Sequence, residues 1–445
     1  MNNKNNNKAN AKIVLSLTSI LIYEIIMLVI LMTCYINYYF YYSNGYVVFF
    51  LLYLFLFIIF GKLFSVFDLG ETTTTDLFIS TSLTLLFSNF FVYIVICLIT
   101  LRIVPIWPII LMQAIGMVVS ALLLIGEDSY IKKHYPPARF ICIYGGDHDD
   151  LIGKLNNPKD LSITIIKTIN IKNIKYKDID ILFRNIDGII TLDVHHTDKK
   201  KLFKICYKKR LMIYDMPSIT DMLLASGEVL HMVDTPIIKV NKFGPNQFEI
   251  IVKRIIDIVG SLLLIIVTLP IMLGTAIAIK ANDGGSIFYK QSRLTKDGRE
   301  FKIIKFRSMV MNAESKTGAV FAKVDDDRIT SIGKFIRKCR IDELPQMFNI
   351  LKGDMSFVGP RPERTEIYDE ITKTMPEFDY RLCVKAGLTG YAQIYGKYNT
   401  PLRDKLLLDL YYIEKYSLIE DIKLIILTLK VVFKPEAAEG VKDEK

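Results

Sequence analysis

The sequence predicts a membrane protein with a four-helix transmembrane bundle, a Rossmann-like α/β middle domain and a mainly α C-terminal module that carries a re-entrant membrane helix. Three observations lead to this fold class: four apolar runs near the N-terminus, alternating strand-like and helix-like segments after them, and a fifth apolar run flanked by positive charge. The predicted boundaries are 1–128 for the bundle, 129–247 for the middle domain, 248–435 for the module and 436–445 for a polar tail.

Composition limits the classes of function. Of 445 residues, 51% are hydrophobic and 23% are charged, and the net charge is +10. The apolar residues are concentrated at the front of the chain, which excludes a simple cytosolic enzyme. The surplus of lysine and arginine favours a partner that carries phosphates, or an anionic membrane surface.

The four N-terminal runs cover residues 13–35, 47–64, 77–98 and 104–125. A helix needs about 20 mainly apolar residues to cross the hydrocarbon core, so each run is expected to span the membrane. A signal peptide is the alternative for the first run, but an apolar signal region usually has only about 7–15 residues. Lysines precede the first run, and Lys132, Lys133 and Arg139 follow the fourth. The positive-inside rule therefore predicts that the chain after residue 126 lies in the cytoplasm.

Glu24 lies inside the first predicted span. An acid at this depth indicates a functional site by default. A role in helix packing, or exposure to water, is the alternative that we favour.

The middle domain is predicted from strand-like runs separated by helix-like segments, a pattern typical of a parallel α/β layer. Its first strand is followed by Gly145 and Gly146, as in nucleotide-binding folds. Asp147 and further acids come directly after these glycines and would repel a pyrophosphate. We therefore interpret the domain as a degenerate Rossmann-like regulatory or packing domain, in preference to one that binds a dinucleotide cofactor.

The fifth apolar run, residues 258–279, has no charged residue and carries Pro270 near its middle. Basic residues such as Arg254 and Lys280 flank both ends, and the positive-inside rule places both ends on one side of the membrane. An interior proline removes a helix hydrogen bond and bends the helix. We therefore expect a re-entrant helix over residues 250–281 that breaks near Pro270, with a plain fifth span as the alternative.

Residues 302–340 are dense in lysine and arginine, and apolar residues such as Phe306 and Ile336 are interleaved with them. Side chains anchored by packing beside a membrane suit the recognition of phosphate. Nucleic acid is the competing partner. We do not expect it, because the sequence has no nucleic-acid motif and the module adjoins lipid.

Asp342 and Glu343 precede Pro345 at the expected start of a new helix. The positive end of a helix favours an ionised carboxylate and also a bound phosphate. On spacing alone, an N-terminal cap is the simpler interpretation of the two acids. For Asp409 and Asp421, which lie on later predicted helices, surface salt bridges are an equally good interpretation.

Across residues 248–433 the sequence resembles the bacterial sugar transferases, the polyprenyl-phosphate hexose-1-phosphate transferases. The front of the chain is similar to the long form of that family, as in undecaprenyl-phosphate galactose or glucose phosphotransferases. The resemblance rests on short motifs in a fixed order: KRIID at 253–257, QSR at 291–293, KFRSM at 305–309, DELPQ at 342–346, GDMS at 353–356, VGPRP at 358–362 and TGYAQ at 389–393.

This resemblance implies a reaction. A UDP-sugar gives its hexose-1-phosphate to undecaprenyl phosphate, and UMP leaves, at the cytoplasmic membrane face. The product initiates the repeat unit of an exopolysaccharide, capsule or O-antigen. By the family pattern Asp342 forms a covalent aspartyl intermediate, and Glu343 holds the cofactor Mg²⁺. A carboxylate is already ionised at neutral pH, so no histidine is needed to activate it, and all five histidines precede residue 232.

The resemblance also assigns side chains to the substrates. Lys253 and Arg254, at the start of the membrane helix, are expected to bind the lipid phosphate. A homodimer is compatible with the long form. The side chains expected to bind substrate are Lys305, Arg307, Arg337, Arg340, Arg361, Gln393, Asp409 and Asp421.

Two other functions remain as alternatives. One is a non-catalytic scaffold of a polysaccharide assembly complex, although a scaffold has no need of adjacent acids among so many arginines. The other is a membrane-bound, NAD-dependent sugar-nucleotide enzyme. Tyr411 and Lys415 form the YxxxK pattern of such enzymes, but no glycine fingerprint precedes them.

Overall fold

The computed structural model describes residues 2–35, 45–146, 152–153, 163–174, 179–224, 227–240, 244–311, 326–396 and 400–432. The chain divides into two compact units, Met1–Pro217 and Ser218–Lys445. The predictions for Asp147 and the acids after it, and for the polar tail 436–445, lie outside the described residues.

Four long helices begin the first unit: α1 (Asn2–Cys34), α2 (Gly45–Leu63), α3 (Thr74–Thr100) and α4 (Trp107–His134). Helix α1 packs on α2 and α4, and α3 packs on the same two helices. Met27, Tyr53 and Val92 lie in their shared core, whereas Phe55 and Leu122 point outward and are exposed. Helices that are apolar on their outer faces are typical of a membrane environment.

A parallel sheet completes the first unit. Its strands are β1 (Ala138–Tyr144), β2 (Ile163–Asn170), β3 (Gly188–Leu192) and β4 (Met212–Asp215), in the order β2-β1-β3-β4. Strand β3 is buried along its whole length. The short helix α5 (Ile179–Leu182) precedes β3, and α6 (His196–Lys209) packs Leu202 and Cys206 into a cluster with Ile189. The predicted α/β layer is therefore confirmed.

The second unit begins with α7 (Ile219–Leu223) and an antiparallel hairpin of β5 (Glu228–Met232) and β6 (Thr235–Lys239). This unit includes residues 218–247, which the sequence predicts as part of the middle domain. The physical reason lies in α7, where Ile219, Met222 and Leu223 pack against the core of the second unit.

The fifth long helix, α8 (Gln247–Asp283), has 37 residues. Asn246 and Glu249 form a capping box at its start. The helix continues through Pro270, so the expected break near this residue is not seen, and the re-entrant geometry stays a prediction. With α1 to α4, it is one of five described helices that are long and apolar enough to cross a membrane. The chain is thus a multi-pass membrane protein with a mixed α/β domain.

The rest of the second unit is mainly α, as predicted. An antiparallel hairpin of β7 (Phe288–Leu294) and β8 (Glu300–Phe306) comes first, and short β9 (Ser356–Val358) and β10 (Gly387–Thr389) pair in parallel. Leu406, Leu410 and Ile413 pack with Ile350 and Phe378 in the core. The helices are α9 (Ser331–Lys338), α10 (Gln346–Lys352), α11 (Thr365–Thr374), α12 (Tyr391–Ile394), α13 (Leu402–Glu414) and α14 (Leu418–Val432).

Candidate active site

Asp342 and Glu343 lie in a 3₁₀ turn, Ile341–Glu343, between α9 and α10. The expected helix begins later, at Gln346, so the acids precede it and do not occupy its first turn. Arg340, directly before the turn, has φ 57°, which is a costly left-handed conformation for a residue with a side chain. Ile341 and Leu344 pack against the cluster around Phe306 and Ile336, and this packing holds the turn in place.

Glu343 is paired with two cations. Its Oε1 accepts hydrogen bonds from Lys305 Nζ and from Arg361 Nη2, each over 3.1 Å. Burial alone would raise the pKa of Glu343, but Lys305, Arg361 and Arg340 together hold this pKa well below its usual range. Glu343 is therefore ionised at neutral pH.

Asp342 has a different environment. Burial and the neighbouring charge of Glu343 raise the pKa of Asp342 to about 6, against the opposing effect of Lys305, Arg337 and Arg340. Its Oδ1 is buried and has no hydrogen-bond partner in the described part of the chain. Two adjacent acids whose pKa values are driven apart are suited to different tasks. Asp342 combines an available oxygen with ionisation near neutral pH, as a nucleophile requires.

The basic residues around the acids come from separate elements. Lys305 comes from β8, Arg337 from α9 and Arg361 from the turn after β9, while Arg340 precedes the 3₁₀ turn. All four interact electrostatically with Asp342 or Glu343. Four cations beside two acids leave a net positive charge, which suits a ligand with more than one negative charge. The structure thus brings these four predicted residues together at the acid pair.

Arg381, which the sequence does not predict as a site residue, lies behind Arg361. It is 4% exposed, and its Nη2 donates to the main-chain carbonyl of Arg361 over 2.8 Å. The same nitrogen lies 2.7 Å from Asp409 Oδ2. Burial raises the pKa of Asp409 to about 6, and Arg381 opposes this effect. Asp409, predicted to bind substrate, is therefore linked to the acid pair through Arg381 and Arg361. Arg381 belongs to none of the motifs, so the sequence carried no signal for it.

Three further predicted residues have partners other than the acid pair. Lys253 Nζ lies 2.5 Å from Asp421 Oδ2, and Tyr412 donates to Asp421 Oδ1 over 2.7 Å. Arg254 donates to the main-chain carbonyls of Ile350 and Leu351 at the end of α10, each over 2.7 Å. These contacts fasten the start of α8 to the module, and the lipid-phosphate role of Lys253 and Arg254 stays a prediction.

Gln393 lies beside the turn that carries Arg361. Its Nε2 is 3.5 Å from the carbonyl oxygen of Gly359, and its Oε1 is buried without a hydrogen-bond partner among the described residues. The main chain at Gly387 in β10 lies very close to the main chain at Gly359 after β9, because a Cβ added at Gly387 would lie 2.1 Å from Gly359 N. Arg307, the last predicted substrate residue, lies at the other end of α8, where it pairs with Asp283.

Among the described residues, Asp342 and Glu343 are the candidate ligands for a metal at this site. Among the described residues there is no group of three or more histidine, cysteine, aspartate or glutamate side chains that could hold a metal. Asp342 and Glu343 offer hard carboxylate oxygens, and Asp342 Oδ1 has no partner in the described chain. Mg²⁺ is commonly bound by one or two carboxylates together with substrate phosphates. The residues present therefore fit a Mg²⁺ that binds together with a phosphorylated substrate.

Comparison with known proteins finds relatives that are named as undecaprenyl-phosphate sugar phosphotransferases. A UDP-N-acetylgalactosamine-undecaprenyl-phosphate N-acetylgalactosaminephosphotransferase from Aeromonas hydrophila is 36% identical over 230 residues, 51% of this chain and 53% of the relative. The undecaprenyl-phosphate galactose phosphotransferase of Salmonella typhimurium is 36% identical over 200 residues, 42% of this chain and 41% of the relative. The chain thus spans about half or less of these two relatives.

A shorter relative is covered more completely. A putative undecaprenyl-phosphate N-acetylgalactosaminyl 1-phosphate transferase of Bacillus subtilis is 47% identical over 131 residues, which are 29% of this chain and 73% of the relative. The family model described as bacterial sugar transferase matches residues 248–435, which include the acid pair and its basic neighbours. The chain therefore belongs to the bacterial sugar transferase family.

Proposed function

We propose that the chain transfers a hexose-1-phosphate from a UDP-sugar to undecaprenyl phosphate, releases UMP, and so initiates a surface polysaccharide. Relatives named for a UDP-N-acetylgalactosamine and a UDP-glucose donor with an undecaprenyl-phosphate acceptor support this proposal. The observation that carries it is Asp342, a half-buried acid whose buried Oδ1 has no hydrogen-bond partner in the described structure, beside the ionised Glu343 and among four cations.

The proposed reaction has two displacements at one phosphorus atom. The carboxylate of Asp342 attacks the phosphorus that carries the sugar, the bond from this phosphorus to the bridging oxygen breaks, and UMP leaves with the electron pair. A phosphate oxygen of undecaprenyl phosphate then attacks the same phosphorus. The bond to Asp342 breaks, and the carboxylate is restored with the lipid-linked diphosphate sugar as product.

Charge neutralisation is the main requirement, because both displacements bring anions together. Lys305 and Arg361 already neutralise Glu343. Arg337 and Arg340 interact with Asp342, and Arg340 also interacts with Glu343. The incoming diphosphate is expected to share these cations with the two acids. Burial of the site strengthens each of these interactions relative to water.

We propose Mg²⁺ as the cofactor, held by Glu343 together with the donor diphosphate. When bound, the ion supplies positive charge to the diphosphate. Turnover should cease in EDTA and return on titration with MgCl₂. Full activity of EDTA-treated, metal-free protein would contradict this part of the proposal.

We propose further that α8 re-enters the cytoplasmic leaflet. At its start Lys253 pairs with Asp421, and at its end Asp283 pairs with Arg307. Asp421 and Arg307, the partners of the two ends, both belong to the same module. A straight helix of 37 residues would be about 55 Å long. Contacts from both ends to one module support the view that both ends lie on one side, and exposed apolar residues such as Val267 would then face lipid.

Cysteines placed one at a time at Ile251 and Asn282, in a cysteine-free variant, test this topology in intact cells. Both are expected to react with a membrane-impermeant maleimide only after permeabilisation. Labelling of one of the two from outside would show a fifth span instead.

The central experiment compares Asp342→Asn with wild type on a panel of UDP-glucose, UDP-galactose and UDP-N-acetylgalactosamine. Loss of a nucleophile should lower UMP release by at least about a thousandfold. The matched control is Asp369→Asn, an exposed acid on α11, which should retain activity. In wild type without acceptor, mass spectrometry should find a hexose phosphate on residue 342. Wild-type turnover by Asp342→Asn would refute the assignment.

A further inference from the structure

Arg307 is a buried cation with an unused donor. It follows β8, and its main-chain N–H donates to the carbonyl of Ile287 over 2.9 Å. The side chain is 8% exposed, and Nη2 pairs with Asp283. Nη1 is buried and has no hydrogen-bond partner among the described residues. A buried donor left unpaired is costly and rare, so a ligand or water is the usual explanation.

The surroundings hold the guanidinium in place. Gly285 follows α8, and a Cβ at this position would lie 2.1 Å from Arg307 Nη1. Only glycine therefore leaves room for the observed side chain. Since Asp283 and Gly285 both lie at the end of α8, the end of the membrane helix fixes where Arg307 Nη1 lies.

Arg307 is one of the residues that line a narrow cleft. The cleft lies between the end of α8 and the start of α9, the helix capped by Thr330, whose Oγ1 accepts from Gly333 N over 2.9 Å. The N-terminus of a helix favours negative charge, and Arg307 supplies a full positive charge beside it. One side of the cleft is apolar and consists of Ile279, Met309 and Ile332.

This combination selects among anions. A free nucleotide diphosphate is best matched by the four cations around Asp342 and Glu343. The cleft at Arg307 offers less positive charge, because Asp283 compensates part of the charge of Arg307. The cleft also has an apolar side, and Leu273 and Ile277 of the adjoining helix α8 are exposed. Such a site fits a phosphate group on an apolar tail.

The cleft is also close to the reacting acids. Lys305 lies in β8 and Arg307 directly follows that strand, so the Cα atoms of the two residues are at most about 7 Å apart. Lys305 pairs with Glu343. The cluster that includes Phe306 also includes Ile341 and Leu344, which flank the acid pair. A phosphate bound at Arg307 would therefore border the site where the sugar phosphate is transferred.

We propose that Arg307, with the cleft between the end of α8 and the start of α9, binds the phosphate of the acceptor lipid. This inference rests on the proposed function and deepens it. It is an alternative to the expectation from the sequence that Lys253 and Arg254 bind this phosphate; the structure pairs both of these residues with protein groups.

The kinetic test uses the full chain in phosphatidylcholine nanodiscs. In Arg307→Gln the KM for undecaprenyl phosphate should rise at least about tenfold, whereas the KM for the UDP-sugar should change less than about twofold. The exposed Arg299→Gln is the matched control and should leave both constants unchanged. A rise confined to the KM for the UDP-sugar would overturn the proposal.

A second variant separates binding from a structural role. Asp283→Asn removes the partner of Arg307 but keeps the cation, so the KM for undecaprenyl phosphate should fall or stay the same. If the Arg307–Asp283 pair served only the fold, Asp283→Asn and Arg307→Gln would impair the protein alike. Equal increases in this KM for both variants would therefore overturn the proposal.

A binding arm needs no donor and is thus independent of the proposed activity. Native mass spectrometry should show undecaprenyl phosphate on the wild type and at least about tenfold less on Arg307→Gln. Equal binding would overturn the proposal. Displacement by equimolar phosphatidylglycerol, or by inorganic phosphate, would identify a general headgroup site or a soluble-phosphate site and would overturn the assignment to the acceptor. Absence of UMP formation on the UDP-sugar panel would refute the proposed function alone.

Discussion

Arg381 donates a hydrogen bond from Nη2 to the main-chain carbonyl of Arg361 over 2.8 Å. The nitrogen also lies 2.7 Å from Asp409 Oδ2. Arg361 in turn donates to Glu343 over 3.1 Å. A chain of three contacts thus leads from a buried acid on α13 to the acid pair, and Arg381 determines where the turn carrying Arg361 lies.

Arg381→Lys tests this positioning role. Lysine keeps the charge next to Asp409 but lacks the planar fork that reaches two partners at once. We expect kcat/KM for the UDP-sugar to fall between about tenfold and a hundredfold, because a small displacement of a positioning group is costly in catalysis. Initial rates give this value, and Tm verifies that the fold is kept. Unchanged kcat/KM would contradict the role assigned to Arg381.

The rate of UMP formation should depend on the ionisation of Asp342. Burial and the neighbouring Glu343 raise the pKa of Asp342 to about 6, and only the ionised carboxylate is a nucleophile. The rate should therefore fall about tenfold for each pH unit below 6 and level off above about 7. Because Asp409 also has a pKa raised to about 6, Asp409→Asn is the necessary control and should keep the acid limb. A flat profile between pH 5 and 8 would exclude Asp342 as the titrating nucleophile.

Asp342→Asn should be more stable than the wild type at pH 7.5. When the pKa of a carboxyl is higher in the folded chain than in the unfolded chain, the protonated carboxyl favours the folded state. This stabilisation is lost as the pH rises from the pKa of the unfolded chain towards the pKa of about 6 in the folded chain. A neutral amide avoids the loss, which is worth about 1–3 kcal/mol. Thermal unfolding in detergent should show a higher Tm for the variant at pH 7.5. The gap should narrow as the pH approaches 4, and a lower Tm at pH 7.5 would be the opposite of this expectation.

Local patterns in the sequence were sufficient for the membrane helices and the acid pair. The apolar runs predict α1 to α4 because span length and composition are local properties, and Asp342 and Glu343 stand in a recognisable motif. Local patterns do not predict which residue each charged side chain contacts in the folded chain. Whether Lys253 meets a lipid phosphate or Asp421 depends on contacts across 168 residues of sequence. Arg381 was missed for the same reason, since it contacts Arg361 and Asp409 only in the folded chain.

The pair of Lys253 and Asp421 provides the last test, which separates a structural cation from a lipid-binding one. The two side chains are 14% and 5% exposed, so Lys253→Met leaves a buried carboxylate without its counter-charge. Such a change costs about 3–5 kcal/mol and should lower Tm markedly. The double variant Lys253→Met with Asp421→Asn should recover most of this loss, because the amide oxygen still accepts the hydrogen bond of Tyr412. If Lys253 instead served the lipid phosphate, the single variant would keep its Tm and raise the KM for undecaprenyl phosphate, and the second substitution would restore nothing.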